Sequence, residues 1–502
     1  MSLQACRPSF LNRIAILLAG LCLVSSVLGV RAEDGGHAAS GDLHVVFQEE
    51  AAYAIPSEWQ DYFGTHYASL QRGLPRGLRT VRGYGGPHLR FSDEVPCEGR
   101  APLRGPFHAA ELRLGLCDLR VGRRASGRSL EDLLPEIISG GLTAIYQGPW
   151  RLRGAPEPGF DKDLTYWALR LAHERFPGAA DHVYWQWGNE INGLGFDPTG
   201  IKQKIKETGE SRWKYFNLHS KTAFYAEFYL APAIEVVRQV SLDVYGRSDK
   251  IKILTGSVAN IYNGNSRRWL GDLLGHVVSG DEAPTLKGRT IGELVDIATV
   301  HYPFARPTGQ DTMQQIWDSH VARGPLEAVW ITEEHGRRGK GPVTVVDRSL
   351  RFIDWVSRNG LTADQSRLVW WGIDKKHPGG AGIEAVEWMG RILSGRNLSI
   401  VYAPCGGAVC AVFSEQADDC ARPTLLAIYS VQPRAVGRLI LHGAGSCTAD
   451  GARVRATNFH RERRSSRWES VAAYSNGELT IPIDNIVDGA MLLEVVKEPA
   501  VP

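Results

Sequence analysis

The sequence predicts an α/β fold: a (β/α)8 TIM barrel with a C-terminal all-β sandwich domain. Strand-like and helix-like runs alternate in eight pairs between about Leu43 and Leu393, which is typical of a parallel sheet built from βα units. From about Asn397 the chain changes to short, alternating apolar runs separated by turn residues, as in a sandwich. No glycine-rich phosphate-binding motif follows the first strand, which counts against the alternative of a doubly wound sheet.

The predicted strands are apolar runs, and the helical runs between them have an apolar 3.6-residue period. The first helical run, LEDLLPEIISGG, ends in glycines, as helices often do. In chain order the predicted barrel strands are Leu43–Gln48, Leu78–Tyr84, Leu142–Gln147, Val183–Glu190, Ile251–Ser257, Val295–Tyr302, Ala328–Thr332 and Arg367–Asp374.

The N-terminus resembles an export signal. A basic flank with Arg7 and Arg13 precedes an apolar core from Ile14 to about Val30, and Ala32 is a small residue at the expected cleavage site. A membrane anchor is the alternative, but the apolar core is short for a span. We therefore expect a secreted or periplasmic protein with no membrane span after signal removal, divided into a signal peptide (1–32), a barrel (41–395) and a β-sandwich domain (396–502).

Charge and cysteine content narrow the class of protein further. The formal net charge is +2 and 22% of residues are charged, so no nucleic-acid partner is expected. Six cysteines follow the signal, and an even number in an exported chain favours disulfides over metal ligands. The spacing suggests one bridge in the first domain and two in the second, where three connectivities stay open; the six are Cys97, Cys117, Cys405, Cys410, Cys420 and Cys447.

Two of the predicted strands end on carboxylates. The run VYWQWGNE ends at Asn189 and Glu190, and AVWIT is followed by Glu333 and Glu334. TIM barrels carry their chemistry at the C-terminal ends of their strands, and cleavage of a glycosidic bond needs one carboxyl group as acid and another as nucleophile or base. We predict Glu190 as general acid/base and Glu333 as nucleophile. Glu334 is the alternative nucleophile, because adjacent side chains on a strand face opposite sides.

The aromatic residues before Glu190 predict a raised pKa for its carboxyl group. Tyr184, Trp185 and Trp187 would form a partly desolvated wall around the Glu190 carboxyl group. Such a wall favours the neutral acid and raises its pKa.

The strand ends also resemble a known group of enzymes. Asn-Glu closing strand four and Thr-Glu closing strand seven resemble clan A of the retaining glycoside hydrolases, and the barrel followed by a β-domain is similar to families 39, 44, 51 and 79. The resemblance implies the same roles for Glu190 and Glu333, and it implies that Asn189 binds the sugar 2-hydroxyl. Ile191 departs from the clan, because many members have proline there.

Further binding residues follow only from this resemblance. An aromatic hydroxyl on strand six that steadies the nucleophile maps to the run HYP, with Tyr302 preferred over His301. A strand-two arginine maps to Arg82. A tryptophan under the bound sugar maps to Trp370 or Trp371, and strand alternation leaves that choice open.

Basic residues crowd the stretches expected after strands four, seven and eight. Clustered cations there would attract an acidic polysaccharide or oligosaccharide, whereas the other interpretation is ordinary solvated loop charge. The residues are Lys202, Lys204, Lys206, Arg212, Lys214, Arg337, Arg338, Lys340, Lys375, Lys376 and His377. In the first of these stretches, Trp213, Tyr215 and Phe216 could either stack on sugar rings or anchor the loop.

Two other classes of function compete with a glycosidase. A non-catalytic glycan-binding barrel would be expected to lack one carboxylate. A metal-dependent hydrolase or lyase could use Glu333, Glu334 and His335, although no spaced histidine pair on another strand end completes such a site. We therefore expect an enzyme that acts on a carbohydrate substrate without a cofactor or metal.

Overall fold

The structure of the chain is a computed structural model. It describes residues 41–47, 53–66, 78–83, 103–104, 106–107, 111–112, 130–147, 160, 162–193, 201–335, 341–371, 373, 381–405, 408–417, 420–429, 434–443, 451–460, 466–487 and 489–496. The expected signal peptide lies outside these residues.

The strands follow the predicted change of texture along the chain, with parallel pairs in the barrel and almost entirely antiparallel pairs after it. They are β1 (Gly41–Val46), β2 (Tyr53–Ala54), β3 (Phe63–His66), β4 (Thr80–Gly83), β5 (Leu103–Arg104), β6 (Glu111–Leu112), β7 (Thr143–Gln147), β8 (Val183–Gln186), β9 (Ile253–Leu254), β10 (Ile297–His301), β11 (Ala328–His335), β12 (Leu368–Trp371), β13 (Leu398–Cys405), β14 (Ala408–Ala417), β15 (Cys420–Tyr429), β16 (Arg434–His442), β17 (Arg453–His460), β18 (Ser466–Val471), β19 (Ala473–Ser475), β20 (Glu478–Val487) and β21 (Gly489–Val496).

Helices cover the outside of the barrel between its strands. They are α1 (Leu130–Ser139), α2 (Lys162–Arg175), α3 (Ala179–His182), α4 (Ile201–Thr208), α5 (His219–Tyr225), α6 (Ala231–Tyr245), α7 (Gly264–Leu274), α8 (Ile291–Leu294), α9 (Gly309–His320), α10 (Gly341–Arg358) and α11 (Ala381–Leu393). A short π-helical segment, Ala226–Leu230, joins α5 to α6.

Eight parallel strands close the barrel in the order β3, β4, β7, β8, β9, β10, β11 and β12, which confirms the predicted fold class. The floor of the barrel is filled by a small apolar layer that includes Ile145, Leu254 and Trp330. Barrel-strand residues whose side chains point to the other face, such as Val183 and Ile331, pack outward against the helices. Both faces of these strands are therefore buried, as the continuous apolar runs predicted.

One predicted barrel strand was wrong. The run Leu43–Gln48 contributes β1, which pairs in parallel with β16 of the β domain. Leu43 and Val45 are buried in that domain's core while His44 and Val46 are exposed, and such one-sided alternation suits a sandwich sheet. The first barrel strand is instead β3, whose four residues are too few to form a recognisable apolar run.

The C-terminal part of the chain forms the predicted β sandwich from two sheets. One is four-stranded, in the order β1, β16, β20 and β19; the other is seven-stranded, in the order β18, β17, β21, β15, β14, β13 and β2. Their facing sides share one apolar core, with residues such as Val412 and Leu426 from the larger sheet and Leu439 and Ile481 from the smaller one.

The outer face of the larger sheet packs on the barrel. Phe413 and Leu425 alternate with the sandwich-core residues of their strands, and they join the same apolar cluster as Phe352 and Trp355 of α10. Because both faces of β14 and β15 are buried, the sheet cannot separate from the barrel without exposing apolar surface. The β domain therefore covers one side of the barrel.

Two predictions about export can be only partly compared with the structure. Cys410 is disulfide-bonded, whereas Cys97, Cys117 and Cys447 lie outside the described residues, so the pairing scheme stays a prediction. Within the described part of the chain, the helices are all too short or too polar to span a bilayer.

Candidate active site

Glu190 lies just beyond the C-terminal end of β8, on the face where barrel strands present functional groups. Its backbone N–H donates to the Ser257 hydroxyl at 3.2 Å, and the Ile191 N–H donates to the Ser257 carbonyl oxygen at 3.0 Å. Glu190 has a left-handed backbone with φ 49°, which is uncommon for a residue with a side chain. The loop after β9 thus holds the turn that presents this carboxylate.

Glu333 lies on β11, where the register shifts against the neighbouring strand. Val300 pairs with Ile331, but His301 pairs with Glu333, so Thr332 is an extra residue. This bulge turns Glu333 toward the mouth of the barrel. Glu334 faces the other way; it is fully buried and accepts a hydrogen bond from Arg348 of α10. The structure therefore places Glu333 in the site and the alternative nucleophile, Glu334, outside it.

The hydroxyl of Tyr302 joins the two carboxylates. It donates toward Glu190 Oε1 at 2.9 Å and also lies in hydrogen-bond contact with Glu333 Oε1. The Tyr302 backbone N–H donates to the Glu333 carbonyl oxygen at 3.1 Å. Tyr302 also has a left-handed backbone, with φ 61°. The residue that the resemblance assigned to the strand-six hydroxyl is therefore in contact with both predicted catalytic groups.

Arg82 is a fully buried cation beneath Glu333. Its guanidinium donates to Glu333 Oε2 at 3.0 Å, to the Thr332 carbonyl oxygen at 2.9 Å, to Gln186 Oε1 at 3.0 Å and to Asn189 Oδ1 at 2.6 Å. These bonds fix the Asn189 amide by its oxygen. Among the described residues, none accepts from the Asn189 NH2 group, so it can donate to a bound hydroxyl.

Three histidines surround the Glu333 carboxylate. His66 Nε2 lies 3.8 Å from Oε2, His335 Nε2 lies 3.8 Å from Oε1, and His301 Nδ1 lies 4.0 Å from Oε2. His301 Nδ1 is also 3.6 Å from Glu190 Oε1. His66 and His301 are buried, so two of the three imidazole rings contact Glu333 from inside the barrel.

The electrostatic surroundings of the two carboxyl groups differ. Burial opposes ionisation of Glu333, but the charges near it, with His301 and Arg82 foremost, and the Tyr302 hydrogen bond outweigh burial and hold its pKa well below the usual range. Only 5% of the Glu333 side chain is exposed, against 30% for Glu190. Its surroundings therefore favour the ionised form of Glu333, while Glu190 is more open to solvent.

The predicted rise in the pKa of Glu190 was wrong. Burial does raise it, but the His301 ring, with Nδ1 3.6 Å from Glu190 Oε1, and the Tyr302 hydroxyl together outweigh burial and lower the pKa of Glu190. The expected aromatic wall is elsewhere. Trp185 donates to His173 outside the barrel, Trp187 packs against Phe160, and Tyr184 packs on Trp330 at the barrel floor, because strand alternation points them away from the strand tip.

The two tryptophans at the end of β12, Trp370 and Trp371, lie in different surroundings. Trp370 is fully buried in the outer apolar cluster. Trp371 makes an edge contact with His335 at 4.6 Å, and His335 stacks on Tyr302 at 4.3 Å. Of the predicted pair, Trp371 is the one in contact with the site, as expected from the alternation of β12.

Sequence reasoning missed His66, Gln186 and His335 as site residues. His66 is the last residue of β3. A polar residue at the end of a barrel strand indicates a site residue, but the predicted first strand was Leu43–Gln48, so His66 was not recognised. Gln186 donates to Thr299 and Thr332 at 2.9 and 3.2 Å, and it was passed over as part of an apolar run. His335 was considered only as a metal ligand.

Two kinds of chemistry fit this geometry. One oxygen from each carboxylate and His301 Nδ1 lie within 4.8 Å of one another, a spacing near the roughly 5 Å that retaining glycosidases use. The same three groups could hold a divalent cation. The ligand set expected from the sequence, with Glu334, is not brought together, because Glu334 is paired with Arg348.

No protein-family model matches the sequence, and no curated protein matches it. Solved structures do resemble it. A Paenibacillus polymyxa xyloglucanase from glycoside hydrolase family 44, with xyloglucan, gives a TM-score of 0.51 at 8% identity and covers 91% of this chain and 100% of that one. A family 44 endoglucanase from "Clostridium acetobutylium" ATCC 824 gives 0.50 at 9% identity, with 91% and 100% coverage. The predicted resemblance to barrel glycosidases is thus confirmed at the level of fold: this chain has the barrel and β-domain fold of those family 44 structures.

Proposed function

We propose that the protein is a retaining glycoside hydrolase that cleaves O-glycosidic bonds by double displacement, with Glu190 as acid/base and Glu333 as nucleophile. One observation carries the proposal: the two carboxylates come from different strands, share the Tyr302 hydroxyl, and have one oxygen each within 4.8 Å of the other's. An inverting enzyme needs roughly 6.5–9.5 Å between them, to leave room for a water molecule.

The proposed first step forms a covalent glycosyl-enzyme. The ionised Glu333 oxygen attacks the anomeric carbon while protonated Glu190 gives its proton to the departing glycosidic oxygen, and the carbon–oxygen bond breaks. In the second step ionised Glu190 takes a proton from water, whose oxygen attacks the same carbon and releases Glu333. Asn189, held by Arg82, donates its NH2 to a sugar hydroxyl.

The lowered pKa of Glu190 gives this proposal an acidic pH optimum. The general acid must be protonated in the free enzyme, so kcat/KM falls as the pH rises through the pKa of Glu190. Because that pKa is lowered, the fall occurs in the acidic range. Loss of activity at low pH, where Glu333 becomes protonated, begins lower still.

Two observations support a proposal for the substrate class: the fold and the charges expected near the mouth of the barrel. The similar structures are named as a xyloglucanase and an endoglucanase, and we propose a polysaccharide as substrate here also. The alternative of an acidic polysaccharide depends on basic side chains in the segments after the strands. Lys204 and Lys206 are exposed, while Lys214 is paired with Glu210. The basic residues expected after strands seven and eight, Arg337, Arg338, Lys340, Lys375, Lys376 and His377, lie outside the described residues.

Export completes the proposal. The basic flank, apolar core and small residue at the N-terminus direct the chain out of the cytoplasm. The disulfide at Cys410 fits an oxidising compartment. We propose a secreted or periplasmic enzyme, consistent with a polymeric substrate that does not enter cells.

Substitution of each carboxylate tests the mechanism. With aryl glycosides that have good leaving groups, Glu190→Gln should still form a glycosyl-enzyme, seen as a mass increase of the intact protein, because such leaving groups need no acid. Glu333→Gln should form none. Glu327→Gln is the matched control, since Glu327 precedes the same strand and is paired with Lys252 at the opposite end of the barrel.

Full activity of both site variants on a polysaccharide would overturn the proposal. Treatment with a chelator tests the alternative of a metal-dependent reaction. Loss of activity that returns on adding a divalent cation would favour a metal held by Glu190, His301 and Glu333. A panel of neutral and acidic polysaccharides, with product analysis, identifies the sugar. A rate on acidic chains that falls with added salt would support the acidic alternative.

A further inference from the structure

A cavity of about 450 Å³ lies between the segments that follow β8 and β9, large enough for a ligand of the size of a sugar unit. One wall comes from the segment after β8, with Trp213, Phe216 and Asn217, and the other from the segment after β9, with Asn260 and Arg268. Both segments follow the C-terminal ends of barrel strands, so the cavity lies on the face that carries Glu190.

The cavity has an exposed aromatic wall. Trp213 is 57% exposed, although large aromatic side chains are usually buried. Its ring lies 4.8 Å from that of Phe216, and the Arg212 guanidinium lies 4.7 Å from the ring centre. These contacts hold the indole in place while leaving it accessible. The C–H faces of a sugar ring pack on such a surface.

Amide groups line the rest of the cavity. Asn217, Asn260, Asn263 and Asn265 all contribute. The side-chain oxygens of the first three accept from Asn192, Tyr262 and the Asn265 N–H respectively, so these amides offer their NH2 groups as donors to sugar hydroxyls. Asn217 and Asn260 have left-handed backbones, with φ 55° and 54°, so the two segments are turned sharply where they meet the cavity.

The cavity wall is tied to the catalytic segment by Asn192, two residues after Glu190. The Asn192 side chain donates to Asn217 Oδ1 at 2.8 Å and to the Ala259 carbonyl oxygen at 3.0 Å, and it accepts from the Ala259 N–H at 2.8 Å. The Asn217 N–H donates to the Asn192 carbonyl oxygen at 2.8 Å. These bonds keep the aromatic wall at a constant distance from the acid/base.

We propose that this cavity is a second sugar-binding site, which holds a neutral sugar residue of the same polysaccharide chain away from the bond that is cleaved. The cavity lining contains charged side chains of both signs, the basic Arg268 and the acidic Asp272. Asp272 Oδ2 lies 3.4 Å from His219 Nδ1. Amides and aromatic rings therefore dominate recognition, which favours a neutral ring over a uronic acid. The inference rests on the proposed function and deepens it, since a site of this kind makes the enzyme prefer long chains.

Binding to inactive protein tests the site without relying on catalysis. In the Glu333→Gln background, calorimetric titration with β-1,4-linked gluco-oligosaccharides should show tighter binding of a hexasaccharide than of a disaccharide. Adding Trp213→Ala should weaken hexasaccharide binding by about three- to tenfold, the effect of losing one aromatic contact, and should reduce the difference between the two ligands. Phe228→Ala is the matched control, because Phe228 is 44% exposed and does not line the cavity.

The outcomes separate this inference from the proposed function. An unchanged ratio of hexasaccharide to disaccharide affinity in Trp213→Ala overturns the second site, as does tighter binding of oligogalacturonides than of neutral oligosaccharides, or no binding of neutral oligosaccharides at all. Failure of Glu190→Gln to form a glycosyl-enzyme overturns the proposed function, and it is measured with aryl glycosides that are too short to reach the cavity.

Discussion

Tyr302 shows how one side chain sets the chemistry of a site. Its hydroxyl contacts Glu190 and Glu333, and these two carboxylates, after burial, raise the pKa of Tyr302 far above its usual range, so it stays a donor. Its backbone is left-handed, a conformation that costs about 1 kcal/mol or more and persists where the surroundings enforce it. The strain places the hydroxyl between two groups that would otherwise repel each other.

Replacing that hydroxyl tests its role. Tyr302→Phe removes a hydrogen bond that lowers the pKa of both Glu190 and Glu333, so both pKa values should rise. The acidic and the basic limbs of the kcat/KM profile should therefore both move to higher pH, and the maximum rate should fall by about 100-fold, as on losing one aligned donor. The measurement is kcat/KM against pH with an aryl glycoside whose poor leaving group needs the general acid.

Tyr166→Phe is the control, since it deletes a hydroxyl that binds Asp243 and Arg170 far from the site. It should leave both limbs in place. A Tyr302→Phe profile that is lower but unshifted would mean that the hydroxyl positions the substrate and does not tune the carboxylates.

At the scale of an element, strand β11 divides its two adjacent glutamates between chemistry and stability. The bulge at Thr332 sends Glu333 to the site. Glu334 accepts from Arg348 of α10 and also from the backbone N–H groups of Phe304 and His335 at 3.2 Å each. Burial raises the pKa of Glu334, and Arg348 opposes that rise. The pair therefore anchors α10 to the strand that carries Glu333.

Glu334→Ala should cost about 3–5 kcal/mol of the free energy of unfolding, because it leaves the charge of Arg348 buried without its partner. Urea denaturation measures the loss. Replacing both residues, as Glu334→Met with Arg348→Met, should cost less than Glu334→Ala alone, since no charge is then stranded.

The contrasting variant lies one residue away. Glu333→Gln should abolish activity while leaving a folded protein with a cooperative transition. If Glu334→Ala were as stable as the unaltered protein but inactive, the division of roles between the two glutamates would be wrong.

At the scale of the whole molecule, the barrel and the β domain share an apolar cluster. Phe413, Leu425 and Leu492 of the larger sheet belong to the same cluster as the barrel's outer layer. The N-terminal strands strengthen this link, because β1 and β2 belong to the sheets of the β domain while β3 begins the barrel. The β domain is therefore closed by both ends of the described chain.

We expect the barrel and the β domain to unfold in one transition. Calorimetry and urea unfolding, followed by near- and far-ultraviolet circular dichroism, should give coincident midpoints. Phe413→Ala should lower the free energy of unfolding by about 3–5 kcal/mol, and should therefore lower that common midpoint. Two separate transitions, with only the earlier one moved by Phe413→Ala, would show that the domains are independent. A chain ending at residue 395 should aggregate, because it exposes the apolar side of α10.

Much of this fold was predictable because burial leaves a direct mark on sequence. Strands buried on both faces need continuous apolar runs. The predicted runs Val183–Glu190 and Arg367–Asp374 contain the observed strands Val183–Gln186 and Leu368–Trp371. The first barrel strand was missed because β3 has four residues, Phe63–His66, and a more strongly apolar run lies nearby in β1. Local pattern could not show which sheet that run would join, since pairing with β16 depends on residues almost 400 positions later.

The candidate site divides in the same way. By itself, the sequence determined the residue types at two strand ends, Asn189 with Glu190 and Glu333 with Glu334, while Arg82 and Tyr302 were expected only from the resemblance to clan A. Only the tertiary structure decided that a bulge selects Glu333 over Glu334, that Trp371 and not Trp370 reaches the site, and that His301 and Tyr302 lower the pKa of Glu190. The physical reason is that side-chain direction and electrostatic environment depend on neighbours from other strands, whereas strand periodicity is local.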